Sequence, residues 1–202
     1  MRDLEIRGAG NLLGSEQHGH MAAVGYDLYC KLLNESVKEL QGMEEPKEEY
    51  ETVIDLDVDA HIPDRYISNE FHKLDTYKRI AGIQNEEEYD DMLEELMDRF
   101  GELPRSVQNL LMIARLRALA HDAYITELTQ KGEEIRLVMY EKARIDTTKI
   151  DGLLREYRGR LKFKIDTNPY FLYTRPRVSK NESDDIFRTV RELLEAVKKL
   201  CE

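Results

Sequence analysis

The 202-residue sequence predicts an α+β fold: a small, mostly antiparallel sheet packed with several helices, preceded by an irregular loop and one helix. Three patterns carry that expectation. Between positions 54 and 62 apolar and polar residues alternate strictly, the period of a half-buried strand. From about position 69 to 121 apolar residues recur at three and four, the period of amphipathic helices. Beyond that, two pairs of short alternating runs flank one short helical stretch.

The first twenty or so residues show neither period. They hold Gly8, Gly10, Gly14 and Gly19, with Gly25 just beyond, and read as an irregular loop. Tyr26, Tyr29, Leu33, Val37 and Leu40 then form one helical stripe that stops at Gly42. Residues 43–49 are charged and contain Pro46, which marks the boundary. The expected organisation is a loop over 1–22, a connecting helix and linker over 23–50, and an α+β domain over 51–202.

Within that domain, Ile54, Leu56, Val58, Ala60 and Ile62 alternate with Asp55, Asp57, Asp59 and His61, a strand that Pro63 ends. A helix over about 69–83 turns Phe71, Leu74, Tyr77 (or Lys78) and Ala81 inward. Asn85-Glu86-Glu87-Glu88 is a capping box, with Asn85 accepting from the amide three residues on and Glu88 reaching back. The helix it opens carries Tyr89, Met92, Leu93, Leu96, Met97 and Phe100 on one stripe, and Gly101 supplies a left-handed stop. Pro104 starts the next helix, which is apolar on two sides through His121 and therefore central. Runs at 124–128 and 135–140 flank Gln130-Lys131-Gly132-Glu133, a hairpin. A short helix at 148–157 ends at Gly159, strands at 161–165 and 170–173 meet around Asn168-Pro169, and a helix from Asn181 onward buries Ile186, Val190, Leu193, Leu194, Val197 and Leu200.

Composition narrows the function classes. There is no run of 18 or more apolar residues, so no membrane span is expected. Met1 to Glu5 lack the apolar core of a signal peptide, and Cys30 and Cys201 form no metal-type spacing, so a reduced, cytoplasmic setting is expected. A formal charge of −11 is a poor footprint for independent duplex binding. Residues 155–180 nevertheless hold eight basic side chains against Glu156 and Asp166, which read either as a phosphate-facing patch or as the solvated face of strands.

Three motifs suggest chemistry and do not hold. Asp55-x-Asp57-x-Asp59 resembles the start of a calcium loop, but Ala60 and Tyr66 stand where such a loop needs its glycine and its bidentate glutamate. Gly8-Ala9-Gly10-Asn11-Leu12-Leu13-Gly14 has one residue too many for a dinucleotide fingerprint and follows a half-charged segment. His18, His20 and Cys30 are too few and too scattered for structural zinc. With no nucleophile–base arrangement and no phosphate-cradling loop, neither a catalytic site, a metal site nor a cofactor is expected in this chain.

The string Arg2-Asp3-Leu4-Glu5-Ile6-Arg7-Gly8-Ala9-Gly10-Asn11-Leu12-Leu13-Gly14, followed by Gln17 and Gly19, resembles the loop half of the "translocation in RecG" motif. RecG-type helicases and bacterial transcription–repair coupling factors (the Mfd family) share that motif. Ile62-Pro63-x-x-Tyr66-Ile67, Tyr77-Lys78-Arg79-Ile80-Ala81 and Asp98-Arg99-Phe100-Gly101-x-Leu103-Pro104 resemble the compact C-terminal domain of the coupling factors. The resemblance implies a piece of an ATP- and Mg²⁺-dependent DNA translocase that acts on stalled RNA polymerase and recruits the UvrA repair subunit. It implies that Arg7 and Gln17 couple nucleotide-driven closure to DNA. It also implies that Glu95, Asp98 and Arg99 dock on an N-terminal UvrA-binding module of the same protein and keep it masked. Two other readings stay open at this point: the C-terminal part of a RecG-like helicase, and a stand-alone nucleic-acid-binding module using 155–180. A small hydrolase has the least support.

Overall fold

The computed structural model describes residues 50–176 and 182–201. The loop with Arg7 and Gln17, the glycine and histidine motifs, Cys30 and the connecting helix therefore lie outside the described residues. The elements run β1 (Val53–Asp55), α1 (Glu70–Ala81), α2 (Glu86–Phe100), α3 (Arg105–Asp122), β2 (Ile125–Lys131), β3 (Glu134–Met139), α4 (Thr147–Glu156), β4 (Leu161–Ile165), β5 (Pro169–Thr174) and α5 (Glu182–Lys198). The strands form one sheet in the order β1-β2-β3-β5-β4. β1 pairs parallel with β2, and the other three pairings are antiparallel. The predicted α+β class is the one observed. The parallel pair follows from the chain order, because three helices separate β1 from β2 and supply the crossover that parallel strands need.

The core lies between the sheet and its helices. Ile54, Leu128, Ile135, Leu137, Phe171 and Leu161 turn one face of the sheet inward. There they meet Leu110, Ile113 and Leu116 of α3 and Val190, Leu193 and Val197 of α5. Helix α3 is buried on two sides, as its doubled stripe predicts. The other face of the sheet is more open, with Glu127, Arg136, Lys162 and Lys164 exposed and Val138 buried among them.

Local signals placed most boundaries. The Asn85 side chain accepts from Glu88 N at 2.9 Å. Glu88 reaches back to the amide of Gln84 at 2.8 Å, one residue earlier than a standard capping box. Gly101 ends α2 with φ +82 and ψ −156, a conformation that suits a residue without Cβ but is not the left-handed helical stop expected. Pro104 sits immediately before α3, its carbonyl accepting from the amides of Val107 and Gln108.

Three further expectations need correcting. The alternation at 54–62 survives in burial, but only Val53–Asp55 joins the ladder. Beyond Asp55, side chains replace the neighbouring strand: Gln130 Oε1 accepts from Asp57 N at 3.2 Å, Asn109 Nδ2 donates to Asp59 O at 2.7 Å, and Tyr77 Oη accepts from Ile62 N at 2.8 Å. The segment is thus a strap laid across α3 and α1 rather than a long strand. Second, α1 is rotated from its expected stripe. It buries Thr76, Tyr77, Ile80 and Ala81, while Phe71 is 76% exposed and Leu74 38%. The strap requires this, since it covers the face that carries Tyr77 and Ile80. Third, Met97 is 52% exposed and leaves the α2 stripe, whose buried members are Met92 and Leu96.

Candidate interaction site

Helix α2 is held by its apolar side and offers its charged side to solvent. Tyr66 on the strap donates from its hydroxyl to Leu96 O at 3.0 Å, and its ring lies 5.7 Å from that of Phe100. Burial pushes the Tyr66 hydroxyl above the ordinary phenol range. These contacts fix the rotation of α2 and turn Asp91, Asp98 and Arg99 outward, all exposed.

The charges on that face are not all idle, and here the sequence reading missed a residue. Arg79, in the last turn of α1, clamps Glu95 with both terminal nitrogens. Arg99 Nη1 donates to the same carboxylate at 2.7 Å. One carboxylate thus ties two helices and orients two guanidiniums. Hydrogen bonds from Arg79, then from Arg99, hold the Glu95 carboxyl down at about 2. The Glu95 partnership likewise raises the Arg79 guanidinium. Arg99 also lies over the Phe100 ring, 5.1 Å from its centroid. Asp98 makes no ion pair among the described residues.

The Arg79–Glu95 pair spans sixteen positions and belongs to no helical period, so no pattern within one helix reveals it. The cluster carries two guanidiniums against one carboxylate, with Asp98 and Asp91 beside it. That arrangement suits recognition of another charged surface. Among the described residues there is no group of three or more His, Cys, Asp or Glu placed to hold a metal. None of the described helices is long and apolar enough to cross a membrane.

The basic stretch 155–180 is divided by the structure. Arg155, Arg158, Arg160, Lys162 and Lys164 are exposed, Arg175 is buried, and Arg177 and Lys180 lie outside the described residues.

Residues 56–150, which span the strap, α1 to α3 and the first hairpin, match the family model of the TRCF domain. The sequence of the chain is 40% identical over 152 residues to the transcription-repair-coupling factor of Bacillus subtilis (strain 168), covering 75% of this chain. It is 42% identical over 153 residues to that of Staphylococcus aureus (strain USA300), again covering 75% of the chain. In both cases the match spans 13% of the relative's length. Among solved structures, the chain resembles a crystal structure of the C-terminal domain of transcription-repair coupling factor. The TM-score is 0.59 at 26% identity, over 75% of this chain and 94% of that one. Glu95, Asp98, Arg99 and Arg79 all fall inside the matched domain.

Proposed function

We propose that this chain carries a TRCF domain and that the domain is a regulatory docking module of an ATP-dependent DNA translocase that couples stalled transcription to nucleotide excision repair. In this reading the α1–α2 corner packs on an N-terminal UvrA-binding module of the same protein and keeps it masked. The single observation that carries it is the outward cluster of Arg79, Glu95 and Arg99 beside Asp98, which makes no ion pair among the described residues. Such a surface has its charges oriented before any partner arrives, which lowers the ordering cost of binding.

Within this proposal the trio divides into two roles. Asp98 and Arg99 are the direct contacts. Glu95 is a positioning residue, because its oxygens are engaged by Arg79 and Arg99. Within the same proposal, the first 22 residues are the end of a translocation-motif loop in which Arg7 and Gln17 couple closure to DNA, and ATP, Mg²⁺, DNA, RNA polymerase and UvrA are partners of the longer protein. The match over 56–150 favours the coupling factors over the RecG-like alternative.

The test uses the longer protein. Replacing Asp98 and Arg99 by Ala should raise its affinity for UvrA in the absence of DNA and RNA polymerase. Losing one partner of a desolvated pair costs about 2–5 kcal/mol, enough to shift a closed–open equilibrium more than tenfold. Unchanged affinity in a folded variant would remove the masking role from this face.

A further inference from the structure

The open face of the sheet carries both signs of charge, with Lys131 and Glu134 paired across β2 and β3 and a row of cations at the β4 edge. Pairing places Asp55 and Glu127 at its β1–β2 end and Lys162 and Lys164 at its β4 end. Thr174 N donates to Arg160 O at 2.9 Å, which extends the β4–β5 pairing by one residue. Alternation then puts Arg160 on the same side as Lys162 and Lys164. All three are exposed, and none makes an ion pair among the described residues. Several cations on the helical layer, Arg79, Arg99, Arg105, Arg115 and Lys198, each meet a carboxylate. One acid shares this half of the face, Glu134, which pairs across from Thr174 and so stands two strands from Arg160; it makes no ion pair with the row among the described residues.

A second observation adds a flat surface to the row. The Arg136 guanidinium lies 4.3 Å from the centroid of the Tyr170 ring. Tyr170 pairs across from Lys164, and Leu172 pairs across from both Lys162 and Arg136. A guanidinium stacked on an aromatic ring presents a planar cation on which a nucleobase stacks, while a neighbouring row of cations follows the phosphates. A duplex offers this surface only its backbone, because its bases are already stacked on one another.

We infer that the β3–β5–β4 half of the open face binds single-stranded polynucleotide, with bases on the Arg136–Tyr170 stack and phosphates along Arg160, Lys162 and Lys164. This does not depend on the α1–α2 corner and could fail while the masking proposal stands. Two competing accounts of the same residues are separable from it. Lysines on an edge strand also discourage strand-to-strand association. An acidic peptide would satisfy the charges without using the stack.

The test is fluorescence anisotropy of the full 202-residue chain. The probes are labelled oligo-uridine, oligo-thymidine and a duplex of the same length, each titrated across a range of salt, with a polyglutamate peptide as competitor. Single strands of either sugar should bind more tightly than the duplex, and polyglutamate should compete poorly. Lys162→Gln with Lys164→Gln should weaken single-strand binding by about tenfold at low salt and reduce the salt slope by about 1.4, the loss of two phosphate contacts. Arg136→Gln should weaken it about fivefold or more while leaving the slope nearer its original value. Lys78→Gln with Arg65→Gln, on the helical layer, should change neither, and thermal unfolding of each variant checks the fold. The inference is overturned by absent binding, by equal duplex binding, by polyglutamate competing as well as the oligonucleotide, or by equal losses in the helical-layer control. It is overturned equally if the lysine variant self-associates but binds the oligonucleotide as before.

Discussion

At the α1–α2 corner one carboxylate holds two guanidiniums across two helices, whereas along β4 three cations stand in a row with no carboxylate among the described residues. The two regions belong to one domain and share one core, so the difference is not one of overall charge. It lies in what each surface has been given to hold. At the corner, charge is spent on orienting groups before contact. Along the open face it is left available, beside a stacked arginine. A paired cluster favours a partner of fixed shape, and an unpaired row favours a flexible polyanion.

The comparison is sharpest on the two faces of a single strand. Phe171 on β5 is fully buried against the helices, while the next residue, Leu172, faces the open side. Phe171→Ala should destabilise the domain by about 3–5 kcal/mol, and Leu172→Ala by less than about 1 kcal/mol. Chemical denaturation of both variants measures the gap. Comparable losses would mean that the open face is covered by something that belongs to the fold. In the helical region, Tyr77→Phe removes the acceptor for Ile62 N and leaves a buried amide unpaired. It should cost about 1–3 kcal/mol, read in the same way.

Smaller effects come from the charges themselves. Glu95→Gln should destabilise by about 1 kcal/mol at neutral pH, a modest figure because the pair is partly exposed and screened. The sign with pH follows from the depressed carboxyl. Its folded-state pKa, about 2, lies below the ordinary 4.5, so its contribution is fully present above 4.5 and is lost as pH falls towards 2. The stability difference between wild type and E95Q should therefore shrink over that window. Lys162→Gln with Lys164→Gln should move stability by no more than about 0.5 kcal/mol, since both side chains are exposed and make no ion pair among the described residues. A large loss there would show that the row serves the fold.

What the sequence disclosed follows the range of the interaction. Asn85, Gly101 and the doubled stripe of α3 act within a few residues, and each was legible. The hairpins followed from their turns. The length of β1 was not legible, because what relieves the strap of ladder pairing is Gln130 and Asn109, some 73 and 50 positions away. The exposure of Phe71 depends on the same strap. Arg79 was missed for a related reason: its partner lies on another helix, and only the packing angle brings them together. The grouping of Asp91, Asp98 and Arg99 was legible from helical spacing, whereas the internal engagement of Glu95 was not. On the sheet, the alternation of Lys162 and Lys164 with Phe163 was plain, but the Arg136–Tyr170 stack needed the order in which β3 and β5 pair.

The most direct measurement of the central claim is the affinity of the longer protein for UvrA, compared among wild type, the Asp98→Ala and Arg99→Ala variant, and the Lys162→Gln and Lys164→Gln variant. If the α1–α2 corner is the masking surface, the first variant should bind UvrA at least tenfold more tightly than wild type, and the second should match wild type. Equal affinity across all three folded proteins, or a gain confined to the lysine variant, would contradict the assignment of docking to this corner.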